Sequence, residues 1–207
     1  MATAQRHKVK PSNPNHPKKG DQIRVDPIKD LKDIKTIKKQ LKHNNPRDYC
    51  LFILGINTNL RASDLLSITV GRVRGLAPGD ELILREKKTG KARRITLNES
   101  AIEAIQHLLL NDQILEDEDS LFKGQRGTLT VPSVNRLVKG WCRAINLKGN
   151  YGSHTLRKTF GYHQRVQLNT SIPELMVIFN HSSQKQTLDY LCIQSEEIKD
   201  AYMKLCL

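Results

Sequence analysis

The sequence predicts a mainly α-helical fold with one small antiparallel β-sheet, on three observations. Apolar residues recur at helical spacing over most of the chain, as in Ile28, Leu31, Ile34, Ile37 and Leu41. The period changes once, where Glu81–Glu86 and Ala92–Leu97 flank the turn Lys88-Thr89-Gly90-Lys91. Helix-starting residues, above all Pro after a capping side chain, recur at the segment boundaries.

In chain order, the first 26 residues are rich in Lys, Asn, Pro and His and carry almost nothing apolar, so they read as a disordered basic arm. A first helix is expected after Asp26-Pro27, with Asp26 as its cap. Asn45-Pro46 restarts the pattern, and Tyr49–Ile56 reads as a buried helix ending in the turn Asn57-Thr58-Asn59. A short helix capped by Ser63 follows, then the hairpin with its basic tip. Helices are expected over Glu99–Leu110, after the acidic loop Glu116–Asp119 over Ser133–Ile145, and from a Ser153 cap over His154–Val166. Two short helices, Pro173–Phe179 and Ser183–Leu191, precede a last one over Ser195–Leu205.

The 207 residues suit one substantial domain, 27–207, plus the arm. Lys and Arg total 34 against 21 Asp and Glu, a net charge of +13 that points to a polyanionic partner, nucleic acid first. The longest apolar run, Cys50–Ile56, is far short of the roughly 20 residues of a membrane helix, and Arg6, Lys8 and Lys10 lead into no apolar signal segment. A cytoplasmic, nucleoid-associated protein with no membrane partner is expected. The 4 cysteines, Cys50, Cys142, Cys192 and Cys206, form no CxxC pair and read as reduced, mostly buried thiols.

Four polar clusters interrupt the helical background: Arg61 with Asp64 in Asn-Leu-Arg-Ala-Ser-Asp; the hairpin tip Lys87-Lys88-Thr89-Gly90-Lys91-Ala-Arg93; Ser153-His154-Thr-Leu-Arg157-Lys158; and Asn180-His181 followed by Tyr190. Each is ordinary alone. Arg61 reads as a helix-flanking charge, Lys88 as a solvated turn residue, Tyr190 as one of 5 tyrosines. Taken in order, Arg, Lys, His-x-x-Arg, His, Tyr, they resemble the tyrosine recombinase family, which includes phage integrases, Xer-type recombinases and conjugative-transposon integrases. The resemblance covers about residues 27–205 and extends to the nine-residue step from His181 to Tyr190. It implies the family's catalytic-domain fold, with Arg61, Lys88, His154, Arg157, His181 and Tyr190 as catalytic residues and Asp64 in support. The family's separate N-terminal core-binding domain is expected to be absent from this sequence, which then reads as a short recombinase, a fragment, or a protein that relies on its basic arm for the opposite face of DNA.

The chemistry that the resemblance implies asks for these residue types. Charge grows on the equatorial oxygens of an attacked phosphodiester, and the guanidinium groups of Arg61 and Arg157 bind such oxygens bidentately. His154 and Arg157 are spaced to share one face near a helix N-terminus, where the helix dipole favours an anion. His181 would donate to a non-bridging oxygen. A phenol with a pKa of about 10 needs an electropositive site or a base such as His154 to react near neutrality. The departing 5′-oxygen needs an acid: Lys88 by resemblance, with Lys87 and Lys91 as alternatives. Lys87, Lys91, Arg93 and Lys158 are expected to contact DNA, and His163 and Arg165 to face DNA or solvent.

The resemblance implies a 3′-phosphotyrosyl intermediate that conserves bond energy, so neither metal nor ATP is required. The sequence has no P-loop and no acidic metal cluster. Double-stranded DNA, a homotetramer on DNA, and a full-length recombinase or accessory DNA-bending proteins are the implied partners. A non-catalytic DNA-binding module and a relaxing enzyme of the type IB topoisomerase kind are the competing functions.

Overall fold

A computed structural model describes residues 24–86, 90–111, 116–125, 127–191 and a few positions between 199 and 206. Helix α1 (Leu31–Asn44) begins four residues later than the Asp26-Pro27 signal suggests, with Asp30 as its cap, accepting from the Lys32 backbone N–H at 2.7 Å. Asp26 is occupied elsewhere. Its N–H donates to the Asn150 carbonyl at 2.7 Å, and its carboxylate accepts from the Asn150 N–H at 2.9 Å. Ile28 N–H in turn donates to Thr159 Oγ1 at 2.8 Å, so the chain before α1 is clasped, extended, against a later helix.

Asn45 caps α2 (Pro46–Asn57) and Pro46 opens it, where a missing N–H costs nothing. Cys50 through Leu54 are fully buried, making α2 the central helix, packed by α1, α4 (Glu99–Asn111) and α6 (Thr155–Leu168). Gly55 permits the close approach of α6: a Cβ there would lie 2.4 Å from Leu156 Cδ1. Asn59, left-handed at φ 54°, then turns the chain into the single-turn α3 (Ala62–Leu65). Arg61, not Ser63, holds the N-cap position of α3, and no side chain caps it.

Strands β1 (Glu81–Arg85) and β2 (Ala92–Thr96) pair antiparallel, with Leu82 opposite Ile95 and Leu84 opposite Arg93. Leu82, Leu84 and Ile95 enter the core. A second pair, β3 (Lys123–Gly124) with β4 (Gly127–Thr128), adds a sheet absent from the expectation; strands of two residues leave no alternation to detect. Helix α5 (Val131–Ala144) starts under a Thr130 cap, earlier than expected. Helix α6 follows His154, and its entry turn is closed by Thr155 rather than capped by Ser153: Gly152 N–H donates to Thr155 Oγ1 at 3.0 Å.

Helix α7 (Ile172–Phe179) carries a full capping box, Ser171 with Glu174, and ends on left-handed Asn180. The His181 N–H returns to the Met176 carbonyl at 2.9 Å. Helix α8 (Gln184–Leu191) completes a small second cluster of Leu175, Phe179 and Leu191, flanked by Phe160, Tyr162 and Tyr190. The expected last helix, over 195–205, lies mostly outside the described residues, as do the basic segment 1–23 and Cys192. Cys50 and Cys142 are buried, whereas Cys206 is exposed. Among the described residues no helix is long and apolar enough to cross a membrane.

Candidate active site

The α2–α3 turn, the hairpin, the start of α6 and the α7–α8 turn meet on one side of the molecule. Arg61 points into this region between two buried carboxylates, its Nη1 2.9 Å from Glu86 Oε2 and 3.9 Å from Asp64 Oδ2. The opposite oxygen of Glu86 accepts from Arg93 Nη1 at 2.9 Å. Arg93 was expected to contact DNA, but its side chain is only 12% exposed, and its Nη2 donates to the Ile178 carbonyl at 2.8 Å. That carbonyl also accepts from Asn59 Nδ2 at 2.7 Å.

Arg157 is 2% exposed, on the first turn of α6. Its Nη2 donates to the Phe179 carbonyl at 2.8 Å, while its buried Nη1 has no hydrogen-bond partner among the described residues. The guanidinium lies 5.1 Å from the Phe179 ring centroid and 5.9 Å from that of Tyr190. Burial lowers its pKa to about 10; Tyr190 and Glu86 act to raise it, and the Arg61 and Arg93 charges lower it further. Arg61 therefore belongs to the same electrostatic neighbourhood.

His181 stacks on Phe179 at 5.1 Å, and its Nδ1 lies 3.1 Å from Thr187 Oγ1, on the inner face of α8. Burial, then the charges of Arg157 and Arg61, push its pKa down to about 4. It is a neutral imidazole near neutrality. Tyr190, half-buried, packs its ring 5.1 Å from Phe179 and 5.4 Å from His181. Its hydroxyl reaches out to His154 Nδ1 at 3.4 Å, a long contact. Lys158, expected on the DNA-facing surface, is instead 6% exposed with its Nζ 5.2 Å over the Tyr190 ring.

The structure thus brings Arg61, His154, Arg157, His181 and Tyr190 together, with Asp64 behind Arg61. Lys87 and Lys88 lie outside the described residues. Lys91 is exposed, its carbonyl accepting from the Glu86 N–H at 3.0 Å. His163 does not face outward as expected: it is partly buried and its Nε2 lies 3.0 Å from the Ile28 carbonyl. Arg165 is partly buried, donating to the Thr170 carbonyl at 3.3 Å. Among the described residues, no group of three His, Cys, Asp or Glu side chains is placed to hold a metal ion.

Two residues of this site went unnoticed in the sequence. Glu86 had a signal: strand alternation sets it on the same face as Leu82 and Leu84, an inward-pointing charge that demands partners. Thr187 had none, because a buried threonine on a short helix is unremarkable until His181 is seen beside it.

A model of the phage integrase family matches residues 28–197. The chain belongs to that family, the tyrosine recombinases. It is 37% identical over 180 residues to the probable integrase/recombinase YoeC of Bacillus subtilis (strain 168), covering 86% of this chain and 95% of that protein. It is 29% identical over 162 residues to the tyrosine recombinase XerC of Caldanaerobacter subterraneus subsp. tengcongensis, covering 76% of this chain but only 44% of the relative. The fold matches the XerA recombinase crystal structure with a TM-score of 0.71 at 17% identity, over 89% of this chain and 66% of that one. The XerH recombinase, solved bound to its palindromic difH substrate, matches with a TM-score of 0.72 at 18% identity, over 90% of this chain and 54% of that one. The chain therefore spans nearly all of one relative and about half of the longer recombinases.

Proposed function

We propose that this chain breaks and rejoins double-stranded DNA as a tyrosine-type site-specific recombinase, with Tyr190 as nucleophile and without metal or ATP. One observation carries the proposal: the Tyr190 hydroxyl meets His154 beside a buried guanidinium, Arg157, one of whose nitrogens has no partner among the described residues. An anionic phosphodiester is the ligand such a nitrogen suits, since a charged donor left buried and unsatisfied is costly.

In this mechanism Arg61 and Arg157 bind the non-bridging oxygens of the scissile phosphate, and neutral His181 donates from Nε2 while Thr187 engages Nδ1. The Tyr190 oxygen attacks phosphorus as its proton passes to His154. The bond from phosphorus to the 5′-oxygen breaks, and that oxygen takes a proton from Lys88. The product is a 3′-phosphotyrosyl bond and a free 5′-hydroxyl. Attack by a partner strand's 5′-hydroxyl reverses each transfer and releases Tyr190. Basic residues of the segment 1–26, with Lys87 and Lys91, add phosphate contacts that give affinity rather than sequence choice. The working assembly is a homotetramer on nucleoid DNA in the cytoplasm, with accessory DNA-bending proteins or a full-length recombinase as further partners.

The test uses duplexes selected by the protein from a random-sequence pool, then nicked near the cleavage point so that the cut end diffuses away. A covalent protein–DNA adduct is expected with the wild-type chain and none with Tyr190→Phe. Binding without any adduct would leave a DNA-binding module and overturn the proposal. Relaxation of supercoils with no exchanged strands would reassign the chain to the topoisomerase kind.

A further inference from the structure

Glu86 directs its two carboxylate oxygens to two different arginines. Oε2 lies 2.9 Å from Arg61 Nη1, and Oε1 accepts from Arg93 Nη1 at 2.9 Å. Arg93 continues the chain of contacts to the Ile178 carbonyl, three residues before His181. These contacts therefore run from the phosphate-binding arginine, through the base of the hairpin, to the turn that carries the histidine.

We propose that Glu86 and Arg93 are positioning residues, a clamp that holds Arg61, the base of the hairpin and the His181 turn in one register; this rests on the strand-transfer function above. The electrostatics fit the role. Arg61, Arg93 and Arg157 crowd together, and Glu86 and Asp64 neutralise part of that charge from behind, leaving Arg157 to meet the phosphate. A buried carboxylate is tolerated only when its partners satisfy it, so its ion pair with Arg61 and its hydrogen bond from Arg93 hold both arginines beside it. Arg93 has little exposed surface and both terminal nitrogens engaged, which suits a strut and not a DNA contact.

Arg93→Gln, Glu86→Gln and the double variant are assayed for DNA affinity across salt concentrations, and for single-turnover adduct formation at saturating DNA. The clamp predicts an unchanged salt slope and adduct formation slowed about 100-fold, the usual cost of a displaced catalytic group. Because the pair acts as one unit, the double variant loses no more than the worse single one. A salt slope reduced by about one in Arg93→Gln, with cleavage at the wild-type rate, makes Arg93 a phosphate contact and overturns the clamp. If Glu86→Gln does not fold, Arg93→Gln decides alone. If the wild-type chain forms no adduct, the strand-transfer function fails, and the His181 ring resonances in Arg93→Gln still judge the clamp: displaced signals support it, unchanged signals refute it.

Discussion

Replacing Gly161 by alanine should leave the fold nearly as stable and yet disable cleavage. A Cβ at this position on α6 would lie 2.4 Å from Phe179 Cζ, 2.8 Å from Cε2 and 2.9 Å from Leu191 Cδ2. Ordinary contact begins near 3.4 Å, so the edge of the Phe179 ring must retreat by about 1 Å. The ring has nowhere neutral to go. It is fully buried, stacked on His181, tilted against Tyr190 and covered by the Arg157 guanidinium. Overpacking costs about 1–3 kcal/mol, offset by about 0.5–1 kcal/mol because alanine is the better helix residue. The net loss of about 1 kcal/mol lowers Tm by about 2–4 °C for a chain of this size. A shift of about 1 Å at the reacting groups costs about 100-fold in rate. Thermal unfolding and single-turnover adduct formation are read side by side, with Gly140→Ala as control, since a Cβ there meets nothing within 4 Å. Wild-type cleavage by Gly161→Ala would refute the claim that Phe179 seats His181 and Tyr190 for the proposed reaction.

Two further outcomes follow from His181. Its pKa is lowered to about 4 in the fold against about 6.5 in the unfolded chain, so between these values the unfolded state binds more protons. The stability it contributes is present above about pH 6.5 and is lost as pH falls towards 4; urea midpoints taken from pH 7 to 4.5 should fall less steeply in His181→Gln, and parallel curves would contradict the assignment. Thr187→Val deletes the hydroxyl beside Nδ1, removing a bond worth about 0.5–1.5 kcal/mol; nitrogen-15 spectra of the imidazole should show the two tautomers redistributed and adduct formation slowed, whereas an unchanged tautomer would mean that the threonine only fills space.

The helices were legible because apolar periodicity and proline punctuation are local signals: Asn45-Pro46 announces α2, and Pro173 marks the first turn of α7. Asp26-Pro27 misleads for a tertiary reason. Asp26 has the chemistry of a cap, but Asn150, 124 residues away, claims its carboxylate. The order of the polar clusters was legible too, while their relation in space was not. Nothing local tells that Arg93 and Lys158 turn inward while their neighbour Arg94 stays out, its Nη1 3.0 Å from Glu81 on the exposed face of the hairpin. A basic residue in a basic protein defaults to the surface, and only packing against Glu86 or the Tyr190 ring reverses that default.

The last turn of α7 shows how such a site is held before any DNA arrives. A helix ends with carbonyls that have no partner within the helix, and here two of them are taken by side chains from distant segments: Asn59 and Arg93 on Ile178, Arg157 on Phe179. Two cationic donors at a helix C-terminus also suit its dipole. Asn180 and His181 follow directly, so the position of the imidazole is fixed by the same bonds that orient the arginines. Burial first, and cation crowding after it, are the cost of this arrangement, and both lower the pKa values of Arg157 and His181. In the proposed reaction an incoming phosphate would reverse the sign of the local field. It would stabilise the charge on Arg157 and offer its Nη1 the acceptor that no described residue supplies.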